Sequence, residues 1–232
     1  MIPFEAFKLR IEKLRSEMDT IARDCGRDPS SVVLLPVTKT HPPEAANYVL
    51  RAGLRSVGEN RVQEAVEKQT QSDPALRWEL IGHLQSNKAK LAAHHFARVQ
   101  TVDREKLLVA LDRAAAEIGK PLAVLLQINA GRDPAKFGAE IEEAPRLLDA
   151  ALQQKNLRVE GFMTIAPLSD EPAVAEKTFT VLRELRDDLA ARFAIDLPEL
   201  SMGMSGDFAA AIRAGSTQIR VGTRLFGERD AQ

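Results

Sequence analysis

Phe4, Phe7, Ile11, Leu14, Met18 and Ile21 recur at spacings of three and four, which draws one apolar stripe along a helix over residues 1–21. The opposite face mixes Glu5, Lys8, Arg10, Glu12, Lys13 and Arg15. A helix lying on a membrane surface favours Lys and Arg there. The mixture instead predicts a helix packed on its own domain, with residues 1–27 as an N-terminal helical segment.

The pattern then changes to short apolar runs alternating with helical stretches. Residues 32–37 are rich in β-branched residues and read as a buried strand, and Pro42-Pro43-Glu44 opens a helix with prolines where the first turn accepts them. Strand-like runs follow at 55–58, 78–82, 98–102, 122–128, 159–165, 199–202 and 218–221. Helical stretches lie between them at 61–71, from about 87 after Ser86 as a cap, after Asp103 as a cap, around 141–152, at 174–193, and at 207–214 before Gly215. About eight strands, each followed by a helix or helical turn, imply a parallel sheet. At this length the pattern predicts an α/β fold, a single (β/α)8 TIM-type barrel over residues 1–232 with an extra N-terminal helix. An open doubly wound sheet is the alternative that periodicity leaves open.

Composition narrows the function. Of 232 residues, 44% are hydrophobic and 28% charged, which excludes general disorder. Lys and Arg number 32 and Asp and Glu 33, so no basic excess points to nucleic acid. One cysteine, Cys25, excludes a disulfide scaffold and fits a reducing compartment. The first residues lack the apolar run of a signal peptide, and no stretch is apolar enough to span a bilayer. The expected address is the cytoplasm.

In a barrel, chemistry belongs at the C-terminal ends of the strands. Lys39 ends the first apolar strand, where packing gains nothing from a lysine. It reads either as a side chain leaving for solvent or as an amine whose pKa burial lowers, able to form Schiff bases. Gly203, Ser205 and Gly206 follow the seventh strand, and Gly222 and Thr223 the eighth. Such turns bind phosphate in barrels, or serve only as strand-to-helix turns capped by Ser205 or Asp207. Strand alternation puts Gln218 and Arg220 on one face, which leaves Arg220 as a structural ion pair or a ligand contact. The four histidines, His41, His83, His94 and His95, show no zinc-like spacing, and neither a Walker A loop nor G-x-G-x-x-G is present.

Five segments taken together resemble the YggS/PROSC family of pyridoxal phosphate homeostasis proteins. They are Val37-Thr38-Lys39-Thr40, Gly58-Glu59-Asn60-Arg61-Val62-Gln63-Glu64, Ile81-Gly82-His83-Leu84-Gln85-Ser86-Asn87-Lys88, Ser201-Met202-Gly203-Met204-Ser205-Gly206-Asp207 and Arg220-Val221-Gly222-Thr223-Arg224-Leu225-Phe226-Gly227. The resemblance implies a barrel like the N-terminal domain of alanine racemase and pyridoxal 5′-phosphate as cofactor, stored and delivered from a Schiff base on Lys39. It matches Ser205, Gly222 and Thr223 to phosphate contacts and Arg220 to the pyridine nitrogen. Asn60 and His83 lie in family motifs near the cofactor. Two departures stand out: His41 occupies a position where the family often has a second lysine, and Arg132-Asp133-Pro134 replaces a commoner acidic stretch before Lys136.

The expected partners are the cofactor and apo forms of pyridoxal phosphate enzymes, with no nucleic acid and no membrane, and the expected state is a monomer. The competing reading is a pyridoxal phosphate-dependent amino-acid racemase. Two-base racemisation needs a second acid/base opposite the lysine. The sole tyrosine, Tyr48, falls in the first barrel helix, and an arginine at the ring nitrogen weakens the electron sink. A carrier is the expectation, not an enzyme.

Overall fold

The computed structural model describes residues 1–227; residues 228–232, included in the expected domain, lie outside the described residues. A 21-residue helix, α1 (Phe4–Asp24), comes first. Eight parallel strands follow: β1 (Val33–Pro36), β2 (Ser56–Glu59), β3 (Arg77–Leu80), β4 (Arg98–Val102), β5 (Leu122–Gln127), β6 (Leu157–Met163), β7 (Glu199–Ser201) and β8 (Gln218–Val221). Between and after them run α2 (Pro43–Arg51), α3 (Val62–Gln69), α4 (Ala89–His95), α5 (Glu105–Ile118), α6 (Ala144–Leu152), α7 (Pro172–Phe193), α8 (Phe208–Arg213) and the single turn α9 (Thr223–Phe226). Each strand pairs with its sequence neighbour, and β1 pairs with β8. A parallel bridge from Val37 to Gly58 joins β1 to β2 and closes the ring, which decides for a barrel over an open sheet.

The apolar core lies outside the ring, between sheet and helices. Phe7, Ile11, Leu14 and Met18 of α1 are buried in it, and Phe7 stacks on Phe226 with ring centroids 4.9 Å apart. Burying side chains of this size stabilises by roughly 1.5–3 kcal/mol each, so the stripe alone holds α1 in place. Inside the ring the filling differs. Leu35, Val37 and Ile81 form a small apolar cluster. Beside it stand buried polar side chains: Glu79, Gln100, Thr164, Ser201, Gln218 and Arg220. Most barrels of this kind fill the interior with branched aliphatic layers.

Two helix starts differ from the sequence expectation. Ser86 opens a 3-10 turn (Ser86–Lys88) without a side-chain cap, and its hydroxyl lies 3.4 Å from Arg104 Nη2. Asp103 does not cap α5 either: Arg104 holds that position, and the Asp103 carboxylate faces His83 Nδ1 at 3.6 Å and the Arg104 guanidinium. In both places a charged neighbour competes better for the side chain than the helix N–H groups do.

One register shift positions the inner charges. Val124 pairs with Val159, but Leu125 pairs with Gly161, so Glu160 is an extra residue. The bulge accompanies a Glu160 carboxylate that reaches Arg98 Nη2 at 2.6 Å. Gly161 has φ 149° and sits so close to β7 that a Cβ would stand 1.9 Å from the Glu199 carbonyl oxygen. Gly161→Ala should therefore destabilise the fold by at least about 2–3 kcal/mol, because both the strained φ and the contact oppose it. Urea unfolding measures this; a loss under about 0.5 kcal/mol would contradict the close approach.

Candidate functional site

The C-terminal ends of β1, β2, β3, β6, β7 and β8 surround a cavity of ≈ 330 Å³. Its wall includes Lys39 and His41 after β1, Asn60 after β2, Ser205 and Gly206 after β7, and Arg220, Gly222 and Thr223 at the end of β8. Val37, Ile81, Ile165 and Met204 add apolar surface. Six of the seven residues singled out from sequence thus meet at one cavity. His83 does not line it. Its ring stacks on Phe137, centroids 4.0 Å apart, beside Asp103. The Lys136 loop also stays outside the lining.

Lys39 is fixed by its two neighbours. The Thr38 hydroxyl donates to Glu59 Oε1 at 2.7 Å, and the Thr40 N–H donates to Glu64 Oε1 at 2.6 Å. Lys68 Nζ closes this clamp by donating to Thr38 O, Glu59 Oε1 and Glu64 Oε1, each at 2.7 Å. Thr40 carries φ 64°, a conformation that non-glycine residues seldom adopt, so the chain turns sharply after the lysine. Burial pushes the Glu59 carboxyl above its usual pKa, against the opposing pull of Lys68. Burial would also raise Glu64, but the Lys68 and Thr40 hydrogen bonds outweigh it and hold that carboxyl low. Lys68 went unnoticed in the sequence, although its spacing of four from Glu64 was a usable signal.

β2 and β3 come together above the clamp because residue 82 is glycine: a Cβ there would lie 2.1 Å from the Asn60 carbonyl oxygen. That approach lets Asn60 and Ile81 share one wall. Across the cavity the β7 turn is held by Asp207 Oδ1, which accepts the Met204 N–H at 2.5 Å. Arg220 is a buried charge in the cavity wall. Nη1 donates to Ser201 Oγ at 2.7 Å and Nη2 to the Thr164 carbonyl at 2.8 Å. Burial lowers its pKa to about 10, with Asp207 opposing the shift, so the guanidinium stays protonated at neutral pH. It is hydrogen-bonded within the barrel and also lines the cavity.

This donor set suits a particular class of molecule. A primary amine can condense with a carbonyl. Hydroxyls and glycine-bearing turns at Ser205–Gly206 and Gly222–Thr223 suit an oxyanion such as phosphate. A fixed guanidinium suits a neutral acceptor atom, and the apolar side chains suit a flat ring between them. Pyridoxal 5′-phosphate carries all four features, so the residues present fit it.

Comparisons with known proteins agree. Residues 10–230 match the family described as "Alanine racemase, N-terminal domain". A "Pyridoxal phosphate homeostasis protein" of Vibrio cholerae is 42% identical over 226 residues, 95% of each chain. The structure of PipY of Synechococcus elongatus with pyridoxal phosphate bound aligns with a TM-score of 0.84 at 37% identity, covering 95% of this chain and all of that one. Alanine racemase of Clostridium difficile shares the fold alone, with a TM-score of 0.77 at 13% identity over 98% of this chain and 58% of that one.

Lys68→Met should expose how much the clamp contributes. Removing the cation leaves Glu59 buried and uncompensated, at a cost of about 3–5 kcal/mol. Protonation of Glu59 removes that cost, so the deficit should be largest at neutral pH and shrink as pH falls toward the raised Glu59 pKa and below. Denaturant midpoints of wild type and variant across pH measure it. A deficit that grows in acid would contradict this.

Proposed function

Because the chain belongs to the alanine racemase N-terminal-domain family and, within it, to the pyridoxal phosphate homeostasis proteins, we propose that it binds pyridoxal 5′-phosphate and serves to hold and deliver it. The observation that supports this best is the cavity that brings Lys39 together with Ser205, Arg220, Gly222 and Thr223. The cofactor supplies an aldehyde that condenses with a primary amine with loss of water, and an anion that anchors it.

Lys39 Nζ is the amine in this reading. The clamp on Thr38 and Thr40 restricts where that amine can reach. Ser205 and Thr223 donate hydroxyl hydrogen bonds to the phosphate, and the Gly206 and Gly222 turns let backbone approach it. Asn60 contributes a polar edge beside Lys39. Arg220, protonated throughout the neutral range, offers an N–H to the ring nitrogen and does not readily give up its proton there.

The same residues argue for a carrier over a racemase. Tyr48, the one tyrosine, packs against Phe4 and Phe7 at ring-centroid distances of 5.2 and 5.7 Å, in the seam between α1 and α2. It does not line the cavity and is not placed as a second base. An unprotonated ring nitrogen also draws electrons from the α-carbon weakly. Apo pyridoxal phosphate enzymes are the acceptors this reading assigns.

Borohydride reduction of the loaded protein followed by peptide mapping should give one adduct, on Lys39, absent from Lys39→Ala. Ser205→Ala and Thr223→Ala should keep the adduct but weaken retention by about 1–3 kcal/mol each. An adduct on another lysine would overturn the assignment.

Loaded protein incubated with single-enantiomer amino acids in deuterium oxide should show no multiple-turnover deuterium entry at the α-carbon. Exchange that disappears in Lys39→Ala would place the chain among the enzymes instead.

A further inference from the structure

Between Arg220 and Glu79 runs a buried chain of hydrogen bonds that the proposed binding does not account for. Ser201 Oγ accepts from Arg220 Nη1 at 2.7 Å and donates to Gln100 Oε1 at 2.6 Å. Gln100 Nε2 donates to Glu79 Oε2 at 2.6 Å and to Gln218 Oε1 at 2.7 Å. Gln218 Nε2 turns back to Glu79 Oε2 at 3.3 Å. All five side chains are buried, and they come from β3, β4, β7 and β8.

The two ends have fixed polarity. A guanidinium only donates, and an ionised carboxylate only accepts. Glu79 accepts from Gln100 and Gln218 and faces the Arg98 guanidinium at 3.5 Å, so it is the accepting end. Glu160 and Glu199 also face Arg98, at 2.6 and 3.5 Å, and complete the charged groups around Glu79. The donors around Glu79 and the guanidinium at the other end set the order of the links between them. Turning the Gln100 amide over would set its oxygen 2.6 Å from a carboxylate oxygen and its N–H against Ser201. The Ser201 lone pair therefore faces Arg220, and its proton faces Gln100 Oε1 at 2.6 Å, with Gln218 Oε1 as a more distant second acceptor at 3.2 Å.

We propose that Glu79, Gln100 and Ser201 are positioning residues: they form a proton-ordered chain that holds Arg220 flat and donating toward the cavity, and so set how it meets the ring of a bound cofactor. This rests on the pyridoxal phosphate reading. Arg220 spends two N–H groups on Ser201 and Thr164, while its side chain also lines the cavity. Without the Ser201 lone pair, Nη1 loses its partner and the guanidinium is drawn to Asp207, the carboxylate that acts on it electrostatically.

The test loads wild type, Ser201→Ala, Ser201→Thr and Glu79→Gln with pyridoxal phosphate labelled with 15N at the ring nitrogen. It reads the ring 15N shift and the visible absorbance from pH 6 to 9. Wild type and Ser201→Thr should give one pH-independent ring shift and absorbance. Ser201→Ala and Glu79→Gln should still give the reducible Lys39 adduct, yet show a moved, pH-dependent ring shift and a roughly tenfold loss of retention, as for one charge-assisted hydrogen bond. If both variants fold and match wild type in shift, absorbance and retention, the proposal is overturned. If Glu79→Gln does not fold, Ser201→Ala decides alone, because it leaves the Glu79–Arg98 pair in place. If wild type itself forms no adduct on Lys39, the binding reading fails first and the positioning role falls with it.

Discussion

The Arg220 guanidinium is almost wholly buried at the base of the cavity, and a bare buried cation would cost the fold several kcal/mol. What surrounds it replaces water. Ser201 and the Thr164 carbonyl take its hydrogen bonds, Asp207 opposes its charge, and the amides of Gln100 and Gln218 carry the network on to Glu79. Glu79 is in turn pushed toward its neutral form by burial and held back by Arg98, whose own pKa three carboxylates raise despite its burial. The interior of the barrel is thus a continuous polar column between a charged floor and the cavity. Swapping a single member for an apolar side chain leaves its neighbours unsatisfied, which is the costly case for a buried network.

A second cluster works beside β1 and β2. Lys68, Glu59 and Glu64 gather the ends of β1, β2 and α3 and fix the backbone on both sides of Lys39. One network therefore orients the cation at the base of the cavity, and the other orients the amine at its wall. The two share no hydrogen bond among those described. The position of the amine and the orientation of the guanidinium are therefore set by separate parts of the molecule, which makes each open to separate perturbation.

Much of this was legible in the sequence. The apolar run at residues 122–128 and the alternation at 218–221 mark where strands lie, because a strand buried on both sides demands the first and a strand with two unlike faces the second. Lys39, Ser205, Gly222 and Thr223 were visible because a strand-end lysine and glycine-bearing turns are unusual where only packing matters. Strand alternation already put Gln218 and Arg220 on one face, and both point into the barrel. The rest needed three dimensions. His83 sits in a motif beside the cavity, but stacking on Phe137 and the nearby Asp103 carboxylate take its ring to the outside. The Glu160 bulge left no trace in hydropathy, since an added residue in a strand alters register and not composition. The role of Lys68 depends on Glu59, nine residues earlier and on another element, which only the fold brings within 2.7 Å.

The polar column also bears on how the chain reaches its fold. Glu79 and Gln218 are 139 residues apart, and β8 supplies both Gln218 and Arg220. Until the last strand docks between β7 and β1, Glu79 and Gln100 lack partners they need, and an unclosed barrel must keep its interior wet. Dehydration of the interior and arrival of the final strand are then one event. Pairing across so great a sequence separation is slow to find. Late closure leaves the nascent chain with a hydrated, unsealed centre, and it makes the docking of β8 (Gln218–Val221) the step that commits the whole ring.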